Sequence, residues 1–141
     1  MRITILKRKS PAMRAFDKKE WKNYDHDHFV KDIVWDTKAS FLKIEEKGVV
    51  LGTMELKVEG GVGTIKTIIV KKGLQGKGIG KILIKKAEEL TWQQNGHKLF
   101  LTTGKNWQAV RFYESMGFVK SADLPNHYFG VDFIEMTKFL F

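Results

Sequence analysis

The chain has 141 residues, of which 43% are hydrophobic and 29% charged, enough for one domain with its own core and ordinary for a globular protein. It has no cysteine, which excludes disulfides and thiol catalysis, and no run nears the ~18 apolar residues of a membrane span. A formal net charge of +9 leaves polyanions, from nucleic acid to a polyphosphate, as the partners to weigh first.

Residues 2–7 alternate apolar and polar side chains and predict a first strand. Ser10 and Pro11 are a helix start, serine as N-cap and proline in the first turn, with the helix expected to about Lys22. Residues 23–36 hold Tyr24, His26, His28, Phe29, Trp35 and four aspartates, and read as an irregular lid with a short second helix. Residues 39–46 form a strand closed by a Lys47-Gly48 turn, and 49–58 form the next, closed by Gly60-Gly61. The apolar run 64–70 leads into Lys71-Lys72-Gly73-Leu74-Gln75-Gly76-Lys77-Gly78-Ile79-Gly80-Lys81. A helix follows to about Gln94, with Ile79, Ile82, Leu83, Ala87 and Leu90 as its buried face and Asn95-Gly96 as its end.

Residues 98–103 are a short apolar strand, and parallel pairing with 64–70 would make 62–103 a βαβ unit. Asn106 is then expected to cap a helix carrying Ala109, Val110, Phe112, Tyr113 and Met116, which Gly117 ends. Residues 118–122 and 131–140 read as two last strands around a loop at 123–130. The C-terminal run 136–141 is either the last core strand or an apolar edge open to pairing in a homodimer. No repeat, linker or low-complexity tract interrupts the order. It gives an α+β class with one mixed sheet, in a single domain spanning 1–141.

Strand, glycine-rich turn and helix present bare backbone N–H groups at the positive end of a helix dipole, an arrangement suited to phosphate. Glycines at 76, 78 and 80 remove the Cβ atoms that would keep a ligand off the backbone. A P-loop fits poorly, because Ile82 stands where its hydroxyl residue belongs; a dinucleotide fingerprint fails on glycine spacing. A lysine-rich turn with no ligand would share the local pattern. Seven lysines (66, 71, 72, 77, 81, 85, 86) and no acid lie between 66 and 86, so much of the positive charge surrounds this turn. A merely solvated lysine face would look the same.

Gln75-Gly76-Lys77-Gly78-Ile79-Gly80 meets the pattern Gln/Arg-x-x-Gly-x-Gly/Ala. Asn106-Trp107-Gln108-Ala109-Val110-Arg111-Phe112-Tyr113-Glu114-Ser115-Met116-Gly117-Phe118 meets Asn-x-x-Ala-x-x-x-Tyr-x-x-x-Gly-Phe. Together they resemble the two signatures of the GNAT (Gcn5-related N-acetyltransferase) superfamily, a resemblance sharp over 64–118 and weak over 1–60. It implies the GNAT acyl-CoA N-acyltransferase fold, a central, mostly antiparallel sheet flanked by helices, with acetyl-CoA as cosubstrate.

The resemblance also implies roles. Backbone groups of Ile68, Ile69 and Val70, at a splay in the sheet, would bond the pantetheine arm and the acetyl carbonyl. Backbone N–H groups of Gln75, Gly76, Lys77, Gly78, Ile79, Gly80 and Lys81 would hold the pyrophosphate, and Asn106 would contact the coenzyme. Tyr113 would protonate the departing thiolate while a primary amine, on a small molecule or a peptide, attacks the acetyl group in a ternary complex. The sequence departs from the family where a basic carboxylate is common on the central strands. Glu55, His127 and the Asp25–His28 cluster are the alternatives, and a substrate amine arriving deprotonated would need no base. No metal is expected, since His26 and His28 lack an evident third ligand.

Two other classes stay open: a GNAT-fold module that binds or senses acyl-CoA without turnover, and a nucleic-acid-binding domain. Only charge favours the second, with no recognisable DNA- or RNA-binding motif behind it. The early charges of Met1-Arg2-Ile3-Thr4-Ile5-Leu6-Lys7 do not suit a signal peptide, so a cytoplasmic protein without membrane attachment is expected.

Overall fold

The structure is a computed structural model that describes all 141 residues. The chain divides into two compact units, Met1–Trp35 and Asp36–Phe141.

In the first unit the Ser10 cap forms as expected, its hydroxyl accepting from the Met13 N–H at 3.2 Å. The helix it starts, α1 (Pro11–Phe29), runs well past Lys22. No glycine or proline occurs between 12 and 47, so nothing in the chain breaks the helix early. Tyr24 and His28, one turn apart, stack at 3.9 Å and support its last turns. Val30, left-handed at φ 56°, ends it. The tail then folds back on the helix end: the Trp35 indole N–H donates to buried Asp25 at 2.9 Å, and His26 meets Asp32 at 3.0 Å. The expected lid with a second helix is thus a helix end and a return segment. Residues 2–7 form no strand, and Ile3 and Ile5 are exposed. Alternation alone makes no strand without a partner edge to take its hydrogen bonds.

The second unit is a six-stranded sheet in the order β1-β2-β3-β4-β6-β5, flanked by helices. Its strands are β1 (Lys38–Glu46), β2 (Val49–Glu59), β3 (Val62–Val70), β4 (Lys98–Gly104), β5 (Val119–Leu124) and β6 (Phe133–Phe139); α2 (Ile79–Gln93) and α3 (Ala109–Ser115) complete it. The hairpin turns fall where glycine predicted them, with Lys47-Gly48 and Gly60-Gly61 all at positive φ. The β3–β4 pair is parallel and every other pair antiparallel. Residues 136–139 lie in β6, between β4 and β5, so the C-terminal run is a core strand and not a sheet edge.

One apolar cluster joins Met54, Leu56 and Val58 of β2, Leu99 and Leu101 of β4, and Ile134 and Met136 of β6 to both helices. Each fully buried Leu, Ile or Met contributes about 1.5–3 kcal/mol by leaving water. On α2 the buried face is Ile79, Leu83, Ile84, Ala87 and Thr91. Ile82, expected there, is 58% exposed, because Ile84 faces the sheet in its place.

Two irregularities shape the site. Glu55 pairs with Thr67 but Leu56 with Ile65, so Lys66 is an extra residue in β3. This bulge flips the alternation, and Ile68 and Val70 continue the inward row of Ile65 while Ile69 turns out. It also falls just past Thr64, the last β3 residue paired with β4. From there β3 and β4 part, leaving the 67–70 backbone edge free of β4.

Candidate active site

Where the two strands separate, a cavity of about 870 Å³ opens between the end of β3, the glycine turn and α3. Its lining includes Ile68, Ile69, Val70, Gln75, Gly76, Gly78, Gly80, Lys81, Asn106 and Tyr113, ten of the twelve residues expected from sequence. Lys77 and Ile79 are not in its wall. Lys77 points to solvent, and Ile79 is buried, 3.0 Å from where a side chain on Gly52 would begin.

The turn holds its shape by backbone conformation. Gly73, Gly76 and Gly78 stand at φ 90°, 79° and 87°, values that L residues adopt only with strain. A Cβ on any of the three would meet no protein atom within 4 Å; it would extend into open space. Gly80 differs. Its Cβ would lie 3.0 Å from the Phe112 ring, so this glycine serves the packing of α2 against α3 and not a ligand's approach. The Gln75 amide braces the turn from within, its oxygen accepting from the Gly73 N–H at 3.0 Å and its nitrogen reaching the Val70 carbonyl at 3.4 Å. No backbone N–H from Gln75 to Lys81 donates to a backbone oxygen, leaving a row of unpartnered donors at the start of α2. Of the seven surrounding lysines only Lys86 is in an ion pair, with Glu89. Free N–H groups, room where side chains would stand and unpaired cations together fit a pyrophosphate.

The opposite wall is α3. Asn106 does not cap it as expected: the helix begins at Ala109, and a turn bonded from the Trp107 N–H to the Gly104 carbonyl holds Asn106 ahead of it. The reason lies in Gly104, where a Cβ would come within 2.2 Å of the Trp107 ring, so the indole can fold over that position only because it is glycine. The helix end is as the sequence indicates. Gly117 is left-handed at φ 92°; its N–H bonds to the Glu114 carbonyl, and the Phe118 N–H bonds to that of Tyr113, both at 3.0 Å. This double closure is a Schellman motif, and the Tyr113 and Phe118 rings meet at 5.9 Å across it. Tyr113 is 7% exposed, and burial raises its phenol above the ordinary value with no charged neighbour contributing. The phenol therefore keeps its proton at neutral pH and can donate it.

Of the candidate bases in this unit, neither Glu55 nor His127 is in this wall. Glu55 lies on the sheet face opposite the core row, in register with Phe41 and Thr67. His127 packs against Tyr128 and Phe133. His26 and His28 turn to different partners, Asp32 and the Tyr24 carbonyl.

The sequence reading missed Leu74, Trp107, Gln108, Ala109, Arg111 and Phe112 in the wall. Arg111 had a signal that could have been read: a cation near the second signature's tyrosine, and in the structure it joins no ion pair. No helix is long and apolar enough to cross a membrane.

An acetyltransferase from Bacillus cereus shares 15% identity with this chain, covering 97% of it and 98% of its own length, with a TM-score of 0.75. The Ard1 protein of Thermoplasma volcanium shares 26% over 72% of this chain and 71% of its own, with a TM-score of 0.68. A GNAT family acetyltransferase from Elizabethkingia anophelis, solved with acetyl-CoA bound, shares 20% over 72% of this chain and 76% of its own, TM-score 0.67. The family model of the acetyltransferase (GNAT) domain matches residues 9–140. The chain belongs to the GNAT acetyltransferase family, whose cosubstrate is acetyl-CoA.

Proposed function

We propose that the protein is an N-acetyltransferase that moves the acetyl group of acetyl-CoA to a primary amine by direct attack in a ternary complex. One observation carries this: one cavity is lined both by the glycine turn, with its unpartnered N–H groups and the unpaired Lys81, and by the buried, protonated Tyr113 phenol of α3. The family model runs through both compact units, which supports reading 1–141 as one working domain.

In this reading the backbone N–H groups from Gln75 to Lys81 hold the pyrophosphate, and Asn106 touches the coenzyme. The pantetheine arm lies along Ile68, Ile69 and Val70, where the splay leaves backbone groups free to bond it. The uncharged amine attacks the acetyl carbon, a C–N bond forms, and the carbonyl electrons move to oxygen, where a backbone N–H near Val70 stabilises them. Collapse breaks the C–S bond, and the Tyr113 hydroxyl gives its proton to the departing sulfur. The ammonium proton passes to solvent, and Tyr113 regains one from there. No covalent enzyme intermediate is needed, in keeping with a chain that has no cysteine.

Thermal unfolding with acetyl-CoA, ATP or NAD at equal concentration tests the coenzyme assignment. At ~100 times its dissociation constant, acetyl-CoA adds about 2.7 kcal/mol to stability. A shift with acetyl-CoA alone is expected; an equal shift with ATP would reduce the turn to a general anion site. Release of CoA when amines are then added separates turnover from binding alone.

A further inference from the structure

We propose that Lys138 is a positioning residue for the transfer step: anchored by Glu88, its ammonium fixes the C-terminal end of α3 and thereby the place of Tyr113 in the cavity. The inference rests on Tyr113 acting as the acid.

Lys138 sits on β6 in the inward row of Ile134 and Met136, opposite Leu99 of β4. A lysine in a core row must bring its charge to a partner or lose the hydration that stabilises it. This one has two. Its ammonium pairs with the Glu88 carboxylate of α2 and donates to the Met116 carbonyl at 2.8 Å. The side chains of Lys138 and Glu88 are 23% and 17% exposed, the most enclosed ion pair in the molecule. The lysine stem also passes Gly117, where its Cε would lie 3.2 Å from a Cβ. The Met116 carbonyl belongs to the C-cap of α3, at the negative end of its dipole, where a cation is favourable.

The helix so anchored needs it. It has seven residues, about two turns, too few to be stable alone, and no side chain caps its N-terminus. Tyr113 lies three residues before the anchored carbonyl, and its own carbonyl is held in the same closure by Phe118. Glu88, in turn, belongs to the helix whose first turn carries the phosphate donors. The Lys138 ammonium therefore ties together the two helices that form opposite walls of the cavity. Both helices reach the core cluster, α2 through Leu83, Ile84 and Ala87 and α3 through Tyr113 and Met116, but α2 has 15 residues against seven, so loss of the tie moves α3 more than the glycine turn.

The test is a double-mutant cycle on the full chain, with kcat, the acetyl-CoA Kd and the melting temperature measured for each variant. Lys138→Met is expected to lower kcat about tenfold or more while Kd changes less than about twofold, as for a displaced catalytic group. Lys138→Arg, which keeps charge and donors, restores most of the rate. In a Tyr113→Phe background, Lys138→Met should cost almost nothing further, because the group it positions is already gone. If the two losses multiply in full, or Lys138→Met leaves kcat unchanged, the positioning role is overturned and the pair serves folding alone. An unchanged kcat in Tyr113→Phe by itself overturns the acid reading instead, and this inference with it. Should Lys138→Met fail to fold, Glu88→Gln carries the test: a severalfold loss of kcat that vanishes in the Tyr113→Phe background is expected, and one that persists refutes it.

Discussion

The two ends of the cavity are built in opposite ways. The glycine turn is exposed and local: three left-handed glycines, one glutamine brace, and no protein atom near the space their side chains would fill. The Tyr113 end is buried and tertiary, set by the α3 closure, by the Phe118 ring and by a lysine from β6. A site that must accept a large charged coenzyme needs free donors open to solvent. A site that must deliver one proton to one atom needs a fixed, desolvated side chain. Changes at the first end should therefore act on affinity, and changes at the second on turnover.

The largest effect is expected at the open end. Gly78→Val puts a β-branched residue at φ 87° and a side chain where the ligand would lie. Loss of two charge-assisted hydrogen bonds corresponds to a Kd about 10³-fold weaker, while folding costs about 1–2 kcal/mol in backbone strain. Calorimetric titration with acetyl-CoA, beside a circular-dichroism melt, separates the two. Retained affinity would remove the turn from the coenzyme site.

Tyr113→Phe comes next and should act the other way. It keeps the ring against Phe118 and deletes the proton, so kcat is expected to fall about 100-fold with Kd nearly unchanged. Steady-state kinetics over acetyl-CoA concentration reads both at once. If the loss appears in affinity instead, the contrast between the two ends fails.

That contrast also governs what the sequence made legible. The turn's conformation was readable at Gly76 and Gly78, because φ > 0 selects glycine locally, but Gly80, expected to clear space for a ligand, serves helix packing instead. The Gly117 closure and the hairpins were readable too. The Lys66 bulge was not. It exists only as a mismatch between two strands, and it decides that Ile68 and Val70 face inward while Ile69 does not. Asn106 as a cap was overruled by Trp107 settling on Gly104, a contact that no capping rule anticipates. Ile82 lost its place on the buried face to Ile84, since spacings of three and four leave a helix face uncertain by one residue. Residues 2–7 misled most plainly: their pattern suits a strand, but a strand is a property of two chain segments.

A smaller effect tests how far the open end depends on its brace. Gln75→Ala removes both side-chain bonds within the turn and exposes their partners to water, so stability should barely change. Without the brace, Gly73 and the donors beyond it sample more conformations before binding. Ordering them again should weaken acetyl-CoA roughly fivefold and leave kcat untouched. A fall in kcat at saturating coenzyme would mean that the turn also sets the geometry of the reacting end.

The smallest effect belongs to the buried end and needs no ligand. Burial raises the Tyr113 phenol above its ordinary value of 10.0, so the unfolded chain ionises this group first as the solution turns alkaline. Between the ordinary and the raised value the unfolded state binds fewer protons than the native one, and stability falls with rising pH. The stabilisation is fully present below about pH 10 and is lost through the folded value. Tyr113→Phe has no proton to lose there. Denaturant melts from pH 8 upward should thus show a steeper alkaline decline for the natural chain than for the variant. Parallel declines would mean that Tyr113 is hydrated in solution, and a hydrated phenol would not be the desolvated acid that separates this end of the cavity from the other.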